Sequence, residues 1–482
     1  MKPRRYAMTK AILVAVYILA IVSASHAAAT WPTAHGGATN TGFARVDTRP
    51  ATFPTGFADV GHVAPGVNPV IGPDGTVYIG NLAGEVIALF PDGRLFWKRT
   101  LNPEHGRIFA SPVVGADGSI YVVSSESYMD HRSGVATPVH MSFLHKFSPG
   151  GAWVFFRPFP KSSLYPFTDG GATTAPPNVW FSNGSEAVMV PVEYRGLGRS
   201  ELRLIAFSTG GVVIGDQRVT VQVYDTSGSS SGFLQALVDC FLSFPQGCVS
   251  NLSGPPAQVF LPEASWPQPG VAVSTDPQVS PYIWLADGIR STIVYTFNPA
   301  AGFSEIYRFS DRFDRFSSPP VALDSLDAVV GTEHGDLKFE HSGFLVHYVN
   351  PITAAPTRMA DGRLAVIGRN GQVSIVSNHS EVLWLPLNGP SIASAAASCT
   401  HLFVSSTNEL VTFDVKTMTP VARLPWTDGG RNAPIIGPQG HVYAMTNFGL
   451  FVFPSPQPLP VAGGPRTACD LVVVGGTGIQ FP

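Results

Sequence analysis

The chain has 482 residues, of which 44% are hydrophobic and only 13% charged, and it contains 49 glycines and 43 prolines. This composition excludes coiled coils and long disordered tails, which are rich in charged residues. The formal net charge is -3, and the 30 Lys and Arg residues form no basic run. The charge therefore does not indicate binding to nucleic acid or to an anionic membrane. We therefore expect a small-molecule substrate or ligand and no nucleic-acid partner.

The first 29 residues have the pattern of a secretory signal peptide. Basic residues occur up to Lys10, residues 11–22 are uninterruptedly apolar, and small residues follow. Twelve apolar residues are too few to span a bilayer, which needs about 20. We predict cleavage after Ala27 or Ala29 and a periplasmic or secreted mature protein without a membrane anchor. The first cysteine is Cys240, so we expect no lipid attachment near the cleavage site.

A repeated unit follows along the chain: an X-Pro dipeptide, a polar turn, a strand, a Gly turn, a second strand and often a Trp. The clearest copy begins at Asn68-Pro69 and ends at Trp97. The eight copies begin at Asn68-Pro69, Ser111-Pro112, Ala175-Pro176, Asp276-Pro277, Ser318-Pro319, Ala355-Pro356, Ser394-Ala395 and Ala433-Pro434. Equivalent positions in the second strands are Tyr78, Tyr121, Met189, Trp284, Val330, Val366, Val404 and Tyr443.

The repeat spacing predicts an all-β, eight-bladed β-propeller over residues 30–456, with seven blades as the alternative. Successive second strands are 36 to 46 residues apart, except for two steps of 68 and 95 residues, and a propeller blade takes about 40 to 50. We assign the longest step to an insertion at about 222–271 with a short helical piece. Residues 57–65 are predicted to supply the outer strand of the last blade, and 457–482 form a C-terminal tail.

Four further features are expected to be architectural. The pairs Asp74-Gly75, Asp117-Gly118, Asp361-Gly362 and Asn370-Gly371 predict hairpin turns with positive φ. The tryptophans Trp97, Trp153, Trp384 and Trp426 occupy outer-strand positions and predict packing between blades. In an exported chain the four cysteines are expected to pair, and we favour Cys240 with Cys248 and Cys399 with Cys469.

The repeats resemble those of propellers associated with pyrroloquinoline quinone, as in the quinoprotein dehydrogenases. The resemblance rests on the recurring D-G-x-[VI]-Y-[VI]-G and G-x-[VI]-x-A-[LV] patterns and on the entry segment that begins Trp31-Pro32. In the dehydrogenases it would imply a quinone in the central channel, beside an adjacent Cys-Cys disulfide and a Ca²⁺ ion. This chain has no Cys-Cys pair and no C-x-x-C-H haem motif. The same repeat also occurs in outer-membrane assembly scaffolds.

One face of the predicted propeller gathers oxygen-bearing side chains. If each X-Pro dipeptide starts an innermost strand, its start shares a face with the turn after the second strand, because these two strands are antiparallel. This predicts a Ca²⁺ site formed by Asp276, Glu333, Asn68 and Asn447, since Ca²⁺ binds six to eight oxygen ligands. His334 is the candidate proton-transfer group, with Glu333 as its catalytic neighbour.

Three functional hypotheses follow from these residues. In the first, Ca²⁺ polarises the carbonyl of a small ester or lactone, and the protein is an exported hydrolase. The alternative is a non-catalytic extracytoplasmic scaffold or ligand-binding protein, which would imply a protein partner. A quinone-dependent dehydrogenase ranks last. The polar turns also have a purely structural explanation, because Asn before Gly and four-residue polar turns are common in hairpins.

Overall fold

The structure is a computed structural model. It describes residues 31–102, 106–130, 137–161, 175–196, 199–223, 270–274, 281–288, 290–311, 314–323, 327–340, 345–347, 350–378, 380–447, 449–456 and Cys469.

The described strands form eight antiparallel sheets, and each sheet is one blade of a propeller. Strand β1 (Gly56–Ala58) comes first in the chain but belongs to blade eight. Blade one follows with β2 (Val70–Ile71), β3 (Val77–Gly80), β4 (Glu85–Leu89) and β5 (Leu95–Thr100). Blade two has β6 (Gly106–Arg107), β7 (Val113–Val114), β8 (Ile120–Asp130), β9 (Thr137–Phe147) and β10 (Trp153–Pro158). Blade three has β11 (Asn178–Ser182), β12 (Ser185–Gly196), β13 (Arg199–Ser208) and β14 (Val213–Val223).

The remaining blades follow the same order from the axis to the rim. Blade four has β15 (Gly270–Val273), β16 (Ile283–Ala286), β17 (Ser291–Asn298) and β18 (Gly302–Ser310). Blade five has β19 (Val321–Ala322), β20 (Ala328–Gly331), β21 (Asp336–Phe339) and β22 (Leu345–His347). Blade six has β23 (Thr357–Arg358), β24 (Leu364–Gly368), β25 (Gln372–Ser377) and β26 (Ser380–Pro386). Blade seven has β27 (Ala396–Ala397), β28 (His401–Ser405), β29 (Glu409–Asp414) and β30 (Pro420–Pro425), and blade eight has β31 (Ile435–Ile436), β32 (Val442–Thr446) and β33 (Gly449–Phe453).

The eight-bladed fold predicted from the repeats is confirmed, and the seven-bladed alternative is not. Each of the eight residues used to mark a second strand lies in the second strand of its blade. The ring closes through β1, which pairs antiparallel with β33 from Gly56 opposite Val452 to Ala58 opposite Leu450. The predicted closing segment therefore contributes its first residues, 57 and 58, and closure removes the exposed edge of the last sheet.

The two faces of the ring differ in their turns. We call the upper face the end where the innermost strands begin, and the lower face the opposite end. The turns from first to second strands lie on the lower face and contain Gly75, Gly118 and Gly362, with φ of 85°, 77° and 86°. Gly371, in an upper-face turn, has φ of 86°. All four predicted positive-φ turns are confirmed.

Blade four corrects one copy of the repeat. Its innermost strand is β15, which pairs with β16 from Gly270 opposite Ala286 to Val273 opposite Ile283. Asp276-Pro277 therefore follows the innermost strand instead of preceding it, and the X-Pro dipeptide before β15 in the sequence is Gln268-Pro269. The sequence pattern alone does not distinguish the two dipeptides, because they lie within ten residues of each other. Asp276 itself lies outside the described residues.

Trp97 shows how neighbouring blades pack. Its side chain is 7% exposed, and its indole Nε1 donates a hydrogen bond of 2.8 Å to the carbonyl oxygen of Pro149 in blade two. A Cβ atom on Gly151 would lie 2.6 Å from the indole ring, so only glycine fits beneath it. The prediction for Trp153 and Trp384 is wrong, because these side chains are 43% and 59% exposed.

Two long-range features concern the chain termini. The predicted disulfide between Cys399 and Cys469 is present and ties the tail to the turn between β27 and β28. The predicted pair Cys240 and Cys248 lies outside the described residues, within the segment 224–269 that separates β14 from β15.

In the described part of the chain, no helix is long and apolar enough to cross a membrane.

Candidate functional site

The N-terminal strap, which we define as residues 31–44, runs along the innermost strands that surround the central channel. Innermost strands line the channel of a propeller. Backbone N–H groups of the innermost strands of six blades donate hydrogen bonds of 2.8 to 3.0 Å to carbonyl oxygens of the strap. The donor and acceptor pairs are Ile71 with Trp31, Val114 with Pro32, Val273 with Ala38, Ala322 with Thr39, Arg358 with Thr41 and Ala397 with Gly42.

The order of these contacts shows that the strap makes one circuit of the channel. Its residues meet blades one, two, four, five, six and seven in the order in which the blades occur in the chain. Blade three contributes the side-chain amide of Asn178, which donates to the carbonyl oxygen of Ala38 at 2.9 Å. Blade eight contributes Ile435 and Ile436, which belong to the same apolar cluster as Trp31. The strap therefore accepts hydrogen bonds from backbone N–H groups that line the channel.

His35 is the titratable group of the strap. It is 5% exposed, and its Nε2 lies 3.2 Å from the carbonyl oxygen of Pro356, so Nε2 carries the proton in the neutral ring. Its Nδ1 is buried without a hydrogen-bond partner among the described residues. Burial lowers the pKa of His35 to about 4, with a smaller opposing effect from the Pro356 hydrogen bond. The side chain is therefore neutral at pH 7.

Asn68, a predicted Ca²⁺ ligand, is engaged at both ends of its amide. Its Nδ2 donates to the carbonyl oxygen of Ala34 in the strap at 3.0 Å. Its Oδ1 accepts a hydrogen bond of 2.7 Å from the backbone N–H of Ala433. The side chain is buried, 8% exposed, and joins the strap to blade eight. An ion at Oδ1 would compete with the Ala433 N–H.

His334 and Asp314 form a pair on the upper face. Nδ1 of His334 lies 2.6 Å from Oδ1 of Asp314, which also accepts the backbone N–H of Arg315 at 2.7 Å. The His334 side chain is 70% exposed, whereas that of Asp314 is 6% exposed. The hydrogen bond to Asp314, followed by its charge, raises the pKa of His334. An imidazole held this way keeps Nε2 free for a proton or a ligand.

A second pair lies beside the first. The ammonium of Lys338 contacts the carboxylate of Asp311, and the same ammonium lies 5.5 Å from the centre of the Phe316 ring. Burial lowers the pKa of Lys338. Sequence reasoning missed Asp311, Asp314 and Lys338. The signal that could have found them is the repeated Asp-Arg-Phe sequence at 311–316 before Ser318-Pro319, which enters blade five on the same face as the Glu333-His334 turn.

The other predicted ligands are spread around the ring. Glu333 lies in the β20–β21 turn of blade five, where its backbone N–H donates to the carbonyl oxygen of Arg315 at 2.9 Å. Asn447 lies in the turn after β32 of blade eight, and its N–H donates to the carbonyl oxygen of Asp428 at 3.3 Å. Blades one and five stand opposite each other in a ring of eight. Asn68 and Glu333 are thus on opposite sides of the channel.

A Ca²⁺ ion holds its ligands within about 2.6 Å, so it requires donors from one small region. Within the residues that the structure describes, no group of three His, Cys, Asp or Glu side chains could hold a metal ion. The predicted ligands Asn68, Glu333 and Asn447 are not brought together as one cluster. Next to Glu333 and His334, the buried Oδ2 atom of Asp314 has no hydrogen-bond partner among the described residues.

The sequence resemblance implies a flat quinone in the channel, which would have to lie beside the strap. The strap residues Trp31, Thr33 and Ala34 are 0%, 1% and 5% exposed. The described innermost strands already donate to the strap.

The asparagines of several turns have a purely structural role. Oδ1 of Asn81 accepts the backbone N–H groups of Ala83 and Glu85, at 3.0 and 2.9 Å. Oδ1 of Asn370 accepts the N–H of Gln372 at 3.1 Å. These asparagines stabilise their own turns.

Comparison with known proteins identifies the fold and no family. No protein-family model matches the chain, and no curated protein matches it. Among solved structures, the chain is similar to the crystal structure of the computationally designed Ika8 protein, with a TM-score of 0.50 and 12% sequence identity. The similarity covers 82% of this chain and 98% of the designed protein. At this identity the similarity concerns the fold alone.

Proposed function

We propose that this protein is a non-catalytic scaffold of the extracytoplasmic space, which binds its partners through its faces and rim. The observation that carries the proposal is the strap, because residues 31–44 already accept the backbone N–H groups that six innermost strands would otherwise offer to a ligand in the channel. The signal-peptide pattern of residues 1–29 supports export. The resemblance of the repeats to those of the pyrroloquinoline-quinone type is compatible with this role, since such repeats also occur in assembly scaffolds.

The experiment that tests this proposal measures hydrolysis and metal binding together. Purified protein comprising residues 30–482 is assayed against a panel of small esters and lactones, with EDTA and then with Ca²⁺ restored. A scaffold gives no turnover above the rate without protein, and its thermal midpoint does not respond to Ca²⁺. Turnover that EDTA abolishes and Ca²⁺ restores would overturn the proposal.

The second candidate function is Ca²⁺-assisted hydrolysis of a small ester or lactone, and the His334–Asp314 pair is the observation that favours it. Asp314 fixes the imidazole, and His334 would take a proton from the water that attacks the carbonyl carbon and give it to the leaving alkoxide as the ester C–O bond breaks. Ca²⁺ held at Glu333 would supply Lewis-acid polarisation of the carbonyl, without Asn68 and Asn447, which belong to blades one and eight. The raised pKa of His334 works against its use as a base at neutral pH, because the protonated ring cannot accept a proton.

A matched pair of variants separates this candidate from the scaffold. His334→Gln removes the imidazole beside Asp314, and His62→Gln removes another exposed imidazole of the upper face. Hydrolysis that falls at least about 100-fold in His334→Gln and persists in His62→Gln would establish the second candidate. Equal rates in both variants would exclude His334 from the chemistry.

A further inference from the structure

Three Asn-X-Ser sequences occur in the chain, and the structure describes two of them. A sequence Asn-X-Ser or Asn-X-Thr, in which X is not proline, is the acceptor of N-linked glycosylation in secreted proteins. The three asparagines are Asn183, Asn251 and Asn378. Asn251 lies outside the described residues, whereas Asn183 and Asn378 are described and both are exposed.

The two described sequences form hairpin turns of the same kind. Asn183 lies between β11 and β12, and Asn378 lies between β25 and β26. Their φ angles are 49° and 48°, a left-handed conformation that asparagine tolerates. In each turn the serine before the asparagine pairs with the serine two positions after it: Ser182 with Ser185, and Ser377 with Ser380. The turn therefore accounts for the asparagine, whereas the second serine already belongs to the next strand.

Both turns lie on the lower face of the ring. The β11–β12 turn joins a first strand to a second, and the β25–β26 turn joins a third strand to a fourth. Because neighbouring strands of a blade are antiparallel, both kinds of turn are at the lower end. A Cβ atom on Gly184 would meet nothing within 4 Å, so the space beside Asn183 is open. A bulky group attached there can extend from the face without displacing the fold.

The buried asparagines already use the atom to which a glycan is attached, the side-chain nitrogen Nδ2. Five described asparagines are buried, and Nδ2 of each donates a hydrogen bond to a backbone carbonyl oxygen. None of these five is followed by Ser or Thr two positions later: Asn40, Asn68, Asn81, Asn178 and Asn432. Within the described residues, the acceptor pattern is therefore confined to two exposed asparagines.

We propose that Asn183 and Asn378 carry N-linked glycans, so that the lower face is the glycosylated face. In this reaction Nδ2 forms a bond to the anomeric carbon of an oligosaccharide carried by a lipid diphosphate. The bond from that carbon to the phosphate oxygen breaks, the lipid diphosphate leaves with the electron pair, and Nδ2 releases one proton. The inference rests on the export predicted from residues 1–29, and it commits to secretion through a pathway that glycosylates asparagine.

The test is expression of the full chain, with its own signal peptide, in cultured human cells. Protein from the medium and from the cells is treated with peptide N-glycosidase F in heavy-oxygen water, which converts each glycosylated asparagine to a labelled aspartate. Peptides are then read by mass spectrometry. We expect the label at positions 183 and 378. Asn370, which lies in an exposed Asn-Gly turn but has Gln two positions later, should stay unlabelled.

Matched serine variants separate glycosylation from the role of the asparagine in its turn. Ser185→Ala and Ser380→Ala each remove one acceptor but keep the asparagine, so each should lose the label at its own site and keep it at the other. Ser185→Thr and Ser380→Thr preserve the acceptor and should keep both labels. Circular dichroism checks that every variant is folded.

Three results would overturn the inference. The first is an unlabelled Asn183 and Asn378 in the parent chain, whether secreted or retained, and a label at one site alone would overturn the inference for the other. The second is a label that persists in Ser185→Ala, because Asn183 precedes glycine and can deamidate without a glycan. The third is loss of the label in the threonine variants.

The outcome is independent of the hydrolysis assay, because the His334–Asp314 pair lies on the upper face, away from both turns. Unmodified asparagines together with no turnover would remove the glycans and leave the scaffold role. Glycans together with Ca²⁺-dependent turnover would keep the glycosylated lower face and replace the scaffold role by the hydrolase.

Discussion

Asn68→Asp distinguishes a side chain that holds the strap from a side chain that binds Ca²⁺. Aspartate has the same shape and keeps an oxygen for the Ala433 N–H, which Asn68 now binds at 2.7 Å. It replaces the amide NH₂ by an oxygen that faces the carbonyl oxygen of Ala34, 3.0 Å from the present donor. The variant therefore loses one buried hydrogen bond, places two acceptors together and buries a charge.

The expected cost is about 3 kcal/mol at pH 7, the sum of about 1 kcal/mol for the hydrogen bond and about 2 kcal/mol for the unpaired buried groups. Burial raises the pKa of the new carboxyl group, and the protonated form can again donate to Ala34. The difference in unfolding free energy between variant and parent should therefore shrink as the pH falls. A Ca²⁺ ligand predicts the opposite, since a carboxylate binds Ca²⁺ better than an amide does.

The assay is urea unfolding of both proteins at pH 7 and pH 5, with Ca²⁺ and with EDTA. The lower urea midpoint of the variant should be the same with and without Ca²⁺. Asn68→Ala, which loses donor and acceptor together, should remain destabilised at both pH values. If Ca²⁺ raised the midpoint of Asn68→Asp above that of the parent, the assignment of Asn68 to the strap would be refuted.

Three other predictions concern the strap, the blade contacts and the upper face. Burial lowers the pKa of His35 to about 4 and that of His145 to about 3. The unfolded chain therefore binds more protons below pH 6.5, and stability should fall by about 3 kcal/mol for His35 alone as the pH drops from 6.5 to 4; a urea midpoint that stayed constant over this range would contradict it. Gly151→Ala, which places a Cβ 2.6 Å from Trp97, should cost at least about 2 kcal/mol more than Gly302→Ala, whose glycine has the same positive φ but open space, as measured by thermal unfolding. Asp314→Asn should lower the pKa of His334 toward its ordinary value in an NMR titration, and an unchanged pKa would show that the pair does not form in solution.

The fold could be predicted because a blade is a local unit that recurs. Asp-Gly turns, second-strand residues such as Tyr78 and Tyr443, and the repeat length all report structure within about 40 residues of chain. Closure was predictable for the same reason, since a spare extended segment before the first copy matched a missing strand after the last. Of the three possible pairings, that of Cys399 with Cys469 is favoured because Cys240 and Cys248 are close enough in the chain to close a short loop of their own.

The site was less predictable because it depends on which blades meet across the ring. Asp276 and Gln268 both precede a proline, and only the pairing of β15 with β16 shows which dipeptide starts the innermost strand. Asn68 has an amide oxygen of the kind that binds metal ions. Its actual partners, Ala34 and Ala433, are remote in sequence and contribute only backbone atoms. His334 was found as a candidate, whereas its partner Asp314 was not, because twenty residues separate them.

The strap connects the innermost strands of the blades with the strand that closes the ring. The innermost strands of six blades each direct a backbone N–H toward the axis, and an unpaired buried N–H costs about 1 to 3 kcal/mol. Residues 31–44 pair with these groups inside the ring, and β1, only a few residues later, pairs with β33 at its outer edge. Between them, the carbonyl oxygen of Val46 accepts the N–H of Cys399, beside the disulfide that holds the tail. Displacing the strap would therefore expose polar backbone in six blades and loosen the strand that closes the ring. For this reason we place function on the faces and the rim, which can bind a partner without opening the fold.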